Sequence, residues 1–329
     1  MWIGGPPGLA SWPVTTRQHT HDDDASHGRL WTPGRTFDRR GLLRGGLGLA
    51  TLAGVAAACS DEGPAVTDGV SSGPERALTA LFPRDIAYVA AGVSTRLPYT
   101  LSDAEGIPLS SITGPVEFRV SIDGESVGSP VSVEPHGDGV PRPYLPLYFE
   151  FPDPGVYDVE TEYDGLSLNS QVQVMAADEV QQPLVGSPLP SAITPTLQQT
   201  FDVNPICTRT PTCPFHEVNL ADVIGTGRPV AVLLATPAYC RTTACGPILD
   251  ILIEVAGGRD DLVVIHSEVY KDPKSVTDLA DAVLAPLPET YDMTFEPCLF
   301  VTDSAGELVV RGDIVVDRTE MQEMLALAV

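Results

Sequence analysis

Short runs in which apolar and polar residues alternate occupy the chain from about residue 78 to residue 175. Val116–Ile122 is the clearest of them, and two others flank the dipeptide Asp164-Gly165. Alternation is typical of strands with one buried face, and Asp-Gly between two such runs is a strong hairpin signal. Strands at this regular spacing predict a β-sandwich of the immunoglobulin type, in which we find no catalytic combination of residues. His136 lies in one of the turns, where we expect solvent exposure.

Continuous apolar runs replace this alternation after about residue 205. Residues 229–235 have the length and composition of a strand buried on both faces of a parallel or mixed sheet. Apolar residues at helical spacing then predict a helix over residues 247–255, which Gly257-Gly258 ends. The predicted order β-α-β-α-β-β-α is completed by a strand at 262–266, a helix at about 275–284, a hairpin at 298–311 and a helix at about 317–327.

Cys240 and Cys245 lie between the first of these strands and the helix that follows it. A thiol at a helix start is close to unpaired N–H groups and to the positive end of the helix dipole, which favour the reactive thiolate. Residues five apart on an ideal helix point about 140° away from each other, so Cys240 must lie in the loop, or the first turn must be irregular. The pair predicts redox chemistry, with Cys240 as the attacking thiol and Cys245 as the resolving thiol.

This order of elements, with a thiol pair after its first strand, resembles the thioredoxin fold over roughly residues 205–329. Residues 233–240 look like the family's approach to its first cysteine, with Tyr239 where a tryptophan is usual, and residues 247–250 look like the helix that follows. Glu296-Pro297 falls where the family has a cis-proline, so the resemblance implies a cis bond at Pro297 beside the thiol pair. Among thioredoxin-like proteins, the chain resembles the extracytoplasmic thiol–disulfide oxidoreductases of bacteria, which are membrane-anchored.

Two departures from the family bear on the chemistry. The family motif is Cys-x-x-Cys, whereas four residues separate Cys240 from Cys245, so the direction of electron flow stays open. Leu233 and Leu234 stand near the place where cytoplasmic thioredoxins bury an acid, so no carboxylate base for the second thiol is evident. The alternative interpretation is a structural disulfide on a redox-dead thioredoxin-like domain.

An export signal is predicted near the amino terminus. Arg39-Arg40 followed by apolar residues is typical of a twin-arginine signal peptide. The uncharged run 45–58 is shorter than the stretch of about 20 residues that is needed to span a bilayer. The run ends at Ala56-Ala-Ala-Cys59, which resembles a lipoprotein cleavage box with Cys59 as the lipidated residue. Ordinary signal-peptidase cleavage and an uncleaved anchor are the alternatives. We expect a lipid-anchored protein on the extracytoplasmic face of the cell membrane.

If Cys59 is lipidated, five cysteines remain, and an odd number leaves at least one unpaired or in exchange. Cys207 and Cys213 lie in a loop-like segment and predict a structural disulfide. Cys298 follows the presumed cis-proline, where a buried free thiol on a core strand is the favoured interpretation.

Two rival functions use the same residues. Sco-type copper chaperones are membrane-anchored thioredoxin-fold proteins that bind copper through two cysteines and a histidine, and His216 or His266 could supply the nitrogen beside the Cys240 pair. In the other, the chain is a non-enzymatic binding lipoprotein in which the thiol pair is only structural. Under the favoured prediction of an oxidoreductase, no cofactor and no metal ligand are assigned.

Charge limits the partners. The formal net charge of −25 argues against nucleic acid and disfavours tight electrostatic contact with anionic lipid. The expected partners are protein thiols or disulfides, with the membrane reached through the lipid anchor. The expected organisation is a leader and signal at 1–59, a flexible linker at 60–77, an immunoglobulin-like β-sandwich at 78–176, a linker at 177–205 and an α/β thioredoxin-like domain at 206–329.

Overall fold

The computed structural model describes residues 75–84, 86–240, 244–278 and 281–328. The predicted twin-arginine signal and the lipidation at Cys59 lie outside these residues. The described residues belong to one compact unit, so the described parts of both predicted domains fall within it. The fold is mostly β, with three sheets and short helices. Within the described ranges, no helix has the length and apolar character needed to cross a membrane.

Two antiparallel sheets form the amino-terminal half. The first has the order β1-β2-β6, from β1 (Arg76–Ala80), β2 (Ser94–Asp103) and β6 (Leu145–Glu150). The second has the order β4-β3-β7-β8, with β5 also on β3, from β3 (Val116–Ile122), β4 (Glu125–Ser126), β5 (Val131–Val133), β7 (Gly155–Tyr163) and β8 (Leu166–Val174). The sheets share one core, to which Leu97 and Tyr99 of the first sheet and Phe118 and Val159 of the second contribute.

The hairpin between β7 and β8 follows from its two turn residues. Asp164 and Gly165 have φ angles of 52° and 77°, both positive. A tight type I′ turn requires positive φ at both central positions, which aspartate tolerates and glycine adopts freely. The turn sets the antiparallel register that pairs Tyr163 with Leu166, and buried residues alternate with exposed ones along β8. The hairpin predicted from the sequence is confirmed.

The carboxy-terminal half is built on a four-stranded sheet of order β10-β9-β11-β12. Its elements are α1 (Leu220–Val223), β9 (Val230–Leu234), α2 (Cys245–Ala256), β10 (Val263–Ser267), α3 (Pro286–Thr290), β11 (Cys298–Thr302), β12 (Leu308–Asp313) and α4 (Arg318–Ala326). β10 runs parallel to β9, whereas β11 runs antiparallel to β9 and β12. Every residue of β9 is buried, as its continuous apolar run predicts. From β9 onward the elements follow the predicted order.

The helix predicted between β10 and β11 differs from the one observed. A helix is predicted at about residues 275–284, whereas α3 is a short helix that begins at Pro286. The N–H groups of Lys271 and Ala285 donate to the carbonyls of Val283 and Val269, so the chain before α3 is paired across to the segment after β10. Backbone groups used in this pairing cannot form a helix, and proline with its fixed φ suits a first helical turn.

The predicted linker at residues 177–205 packs along the carboxy-terminal sheet. A 3₁₀ turn at Ala177–Glu179 comes first. The N–H groups of Gly186 and Leu189 then donate to the carbonyls of Leu308 and Gly306, at 2.8 and 2.9 Å, and Leu189 is buried. This segment is therefore a strand-like wrap over the edge of the sheet.

A buried ionic network joins β2 and β6 to α4. Arg96 Nε and Nη2 donate to the two carboxylate oxygens of Glu320 at 2.6 and 2.7 Å, and both side chains are 2% exposed. The hydroxyl groups of Tyr144 and Tyr148 donate to the same carboxylate at 2.5 and 2.9 Å. Arg96 also donates to the backbone carbonyl of Asp313 at 3.0 Å. The two halves are thus joined by charged hydrogen bonds whose two charged side chains are buried.

His136 lies beside this network rather than in an exposed turn. Its Nδ1 is 3.0 Å from Oδ1 of Asp317, the N-cap of α4, and its side chain is 16% exposed. The hydrogen bond to Asp317 raises the pKa of His136. Burial opposes ionisation of Asp317, but hydrogen bonds from His136 and from backbone N–H groups of Glu320, Asp138 and Gly137 lower its pKa to about 2.

The His136–Asp317 pair is expected to make stability depend on pH. The folded-state pKa of His136 is raised. Its contribution to the free energy of unfolding is therefore complete below the ordinary histidine pKa of about 6.5, and it is lost as pH rises through the raised pKa. The difference in unfolding free energy between wild type and His136→Gln, about 1 kcal/mol at low pH, should shrink as pH rises. Urea unfolding of both proteins measures it. A difference that stays constant with pH contradicts the prediction.

Candidate functional site

Cys240 and Cys245 form a disulfide with their Cα atoms 6.1 Å apart. The N–H groups of Tyr239 and Cys240 donate to the carbonyl of Thr236 at 3.1 and 2.9 Å, which turns the chain after β9. Cys240 lies in this loop and is partly exposed, whereas Cys245 is the first residue of α2 and is fully buried. The loop position of Cys240 is one of the two arrangements that the five-residue spacing allows. An incoming sulfur therefore meets Cys240 first.

The start of α2 favours negative charge on sulfur. Ala244 is the N-cap and has no side-chain acceptor for the N–H groups of the first turn. These groups and the helix dipole stabilise an anion at this end of the helix. When the disulfide is reduced, this end of the helix stabilises the thiolate of Cys245, its first residue.

Glu296 supplies the acid that the sequence analysis does not find. The Glu296-Pro297 bond is cis, as predicted, and Oε2 of Glu296 lies 3.5 Å from Sγ of Cys245. Burial raises the pKa of Glu296 to about 7, and hydrogen bonds with Thr236 oppose that rise. A carboxyl group that titrates near neutrality beside a thiol is suited to transfer its proton. The available signal was its place immediately before the presumed cis-proline.

A cleft of about 680 Å³ opens beside the exposed cysteine. Tyr239 on its rim is 45% exposed. Apolar and aromatic side chains predominate, and the lining residues are Leu81, Phe82, Pro83, Tyr239, Cys240, Tyr270, Pro273, Val276, Thr277, Asp278, Thr294, Phe295, Glu296 and Ile314. Leu81, Phe82 and Pro83 follow β1, so the amino-terminal half forms part of the cleft wall.

Cys207 and Cys213 are free, buried thiols in the structure, so the predicted disulfide between them is not formed. The imidazole of His266 lies against both sulfurs, with its Nδ1 3.8 Å from Sγ of Cys207 and 3.4 Å from Sγ of Cys213. A second imidazole, that of His216, has its Nε2 3.2 Å from Sγ of Cys213 and 3.2 Å from Nδ1 of His266. One potential ligand atom from each of the four residues lies within 4.8 Å of the other three.

We call Cys207, Cys213, His216 and His266 the Cys₂His₂ cluster. It corrects the predicted role of the two histidines, because both stand with Cys207 and Cys213 rather than with the Cys240 pair. It is also a site that the sequence analysis missed. The hydrogen bond from Cys213 has the largest effect on the pKa of Cys207, and with those from the histidines it lowers that pKa despite burial.

Hydrogen bonds connect the Cys₂His₂ cluster to the elements on either side of the Cys240–Cys245 disulfide. Thr208 Oγ1 accepts from the N–H of Ala238 at 3.1 Å, and the N–H of Thr208 donates to Glu268 at 2.6 Å. Arg209 donates to Asp250 of α2 at 2.7 Å. The segment that begins at Cys207 therefore contacts both the approach to Cys240 and the helix after Cys245.

Cys298 is a buried free thiol at the start of β11, as predicted. Its Sγ lies 3.5 Å from the carbonyl oxygen of Phe295. Burial raises its pKa, which disfavours the reactive thiolate.

No family model matches the chain, and no curated protein matches it at a significant level. Part of the chain is similar to a thioredoxin-family thiol:disulfide interchange protein from Chlorobium tepidum TLS, with 14% identity and a TM-score of 0.30, over 44% of this chain and 96% of that one. The ZirS C-terminal domain is similar with 14% identity and a TM-score of 0.19, over 45% of this chain and 97% of that one. The titin M10–obscurin-like 1 Ig mutant complex is similar with 18% identity and a TM-score of 0.17, over 27% of this chain and 82% of that one. Because these TM-scores are low, the proposed function is argued from contacts within this chain and not from these similarities.

Proposed function

We propose that this protein is a thiol–disulfide oxidoreductase in which Cys240 attacks and Cys245 resolves. The observation that carries the proposal is a partly exposed sulfur bonded to a buried one, with the Glu296 carboxyl group 3.5 Å from the buried sulfur. A purely structural disulfide needs neither a neighbouring carboxyl group of pKa about 7 nor an adjoining cleft.

In the reducing direction, the Cys240 thiolate attacks one sulfur of a substrate disulfide. A Cys240–substrate bond forms, the substrate bond breaks, and the other substrate sulfur leaves as a thiolate that takes a proton from water. Glu296 then accepts the proton of Cys245, whose sulfur attacks Cys240. The Cys240–substrate bond breaks, and the second substrate sulfur leaves as a thiolate that takes the proton back from Glu296. The dithiol gives the substrate two electrons; one proton comes from Cys245 through Glu296, and the other comes from water, which had received the proton of Cys240 when its thiolate formed. In the oxidising direction the same steps run in reverse.

Protein thiols or disulfides are the proposed substrates, because the cleft beside Cys240 is open and offers both apolar and polar surface, as a peptide-binding surface would. We further propose that a thioredoxin-like region and an immunoglobulin-like sandwich make up the mature protein, anchored through Cys59 outside the cytoplasm. Arg39-Arg40 and the residues before Cys59 support that location.

Trapping of mixed disulfides tests the proposal. Cys245→Ser should accumulate mixed disulfides through Cys240, because the resolving thiol is missing, whereas Cys240→Ser should accumulate none. Non-reducing electrophoresis and mass spectrometry detect the adducts, with Cys298→Ser as the control for a buried cysteine outside the pair. Adducts only in Cys240→Ser reverse the two roles. Adducts in neither variant make the disulfide structural and contradict the proposal.

A further inference from the structure

The separations within the Cys₂His₂ cluster match those around a tetrahedral metal ion. With metal–nitrogen bonds of about 2.0–2.1 Å and metal–sulfur bonds of about 2.3 Å, tetrahedral geometry places ligand atoms roughly 3.3–3.8 Å apart. The nitrogen–nitrogen separation here is 3.2 Å, and three sulfur–nitrogen separations are 3.2, 3.4 and 3.8 Å. These four separations are close to those around one tetrahedral ion, and all four ligand atoms lie within 4.8 Å of one another.

The ligand types and their burial indicate which metal ion this cluster suits. Two thiolates and two neutral imidazoles balance the charge of a divalent cation, and a neutral centre avoids the cost of an unpaired charge in the interior. Relative exposure is 6% for Cys207, 4% for Cys213, 1% for His216 and 0% for His266. Tetrahedral coordination by two sulfur and two nitrogen ligands is characteristic of zinc.

The surroundings of His266 orient it for coordination. Its Nε2 lies 2.9 Å from the carbonyl oxygen of Ala235, which can only accept a hydrogen bond, so Nε2 carries the proton. Nδ1 then presents its lone pair to the two sulfurs, which is the arrangement usual for metal-binding histidines. The backbone N–H of His266 donates to the carbonyl of Phe215 at 2.9 Å, which holds His216 against β10.

We propose that Cys207, Cys213, His216 and His266 bind one zinc ion in a structural site. Protein ligands complete the tetrahedron, so no coordination position is left for substrate. The ion would fix the segment from Cys207 to His216 onto β10. Through Thr208 and Arg209, that segment supports both sides of the redox pair.

Metal analysis of the full chain, purified under reducing conditions, tests the site. Elemental analysis should find one zinc per chain in wild type and in the Cys240→Ser/Cys245→Ser control, and close to none in Cys207→Ser/Cys213→Ser. Cobalt exchanged into wild type should give the charge-transfer and d–d absorption bands of a tetrahedral cobalt–thiolate centre. The cobalt spectrum needs no variant, so it stands even if the cysteine variants fail to fold.

Several results would overturn the zinc site. They are zinc retained by Cys207→Ser/Cys213→Ser, zinc lost from the Cys240→Ser/Cys245→Ser control, copper in place of zinc in the wild-type protein as purified, and a Cys207–Cys213 disulfide in protein isolated with zinc present. Because mixed-disulfide trapping at Cys240 is measured separately, failure of the zinc site and failure of the oxidoreductase proposal are distinguishable.

Discussion

Replacement of Glu320 by alanine is expected to lower the free energy of unfolding by about 3–5 kcal/mol, the usual cost of breaking a buried ion pair from one side. The substitution leaves the guanidinium of Arg96 buried without its bidentate partner. It also removes the acceptor for the hydroxyl groups of Tyr144 and Tyr148. Urea unfolding followed by circular dichroism measures the loss.

Glu323→Ala is the matched control, because Glu323 is an exposed glutamate on the same helix. We expect it to change stability by less than about 0.5 kcal/mol. A double replacement, Arg96→Met with Glu320→Met, should restore much of the loss, since apolar residues of similar volume often substitute well for a buried ion pair. Equal effects of Glu320→Ala and Glu323→Ala would contradict a stabilising role for the network.

Replacement of Glu296 by glutamine is expected to slow resolution of the mixed disulfide about 10²-fold, the lower range for general acid–base catalysis. Only the deprotonated carboxylate can take the Cys245 proton, so the wild-type rate should rise as pH passes through about 7 and level off above it. The variant should lose this inflection. Rapid-quench measurement of substrate release from a preformed Cys240 adduct isolates the step.

Glu289→Gln, an exposed position on α3, is the control for this measurement and should behave as wild type. If Glu296→Gln keeps both the rate and the inflection near pH 7, another group takes the proton from Cys245. Slower resolution with an unchanged pH profile would indicate that Glu296 only positions the thiol.

Local patterns predicted the local structure. The apolar run of β9 and the Asp164-Gly165 turn each depend on residues close together in sequence, and both are observed as expected. The spacing of Cys240 and Cys245 allowed either a loop position for Cys240 or an irregular first helical turn, and the structure has Cys240 in the loop before α2. Helix geometry and turn dihedrals fix these features without reference to the remainder of the chain.

Contacts between distant segments could not be predicted in the same way. His266 approaches Cys207 across a sequence separation of 59 residues, which only the packing of β10 determines. A cysteine pair in a protein that is expected to be exported favours a disulfide from sequence alone, and nothing local reveals the two imidazoles beside the sulfurs. Glu296 gains its raised pKa from burial beside Cys245, which its own sequence neighbourhood does not encode.

Under the proposed function, the cleft wall formed by Leu81, Phe82 and Pro83 separates recognition of the substrate from the chemistry at the sulfur atoms. These residues belong to the chain after β1, whereas the sulfur atoms belong to the chain after β9. Phe82 also packs edge-on against Tyr99 in the core of the amino-terminal half, with ring centroids 5.3 Å apart. Evolution could therefore reshape one side of the cleft, and so change the choice of partner, while the exchange reaction itself stays constant.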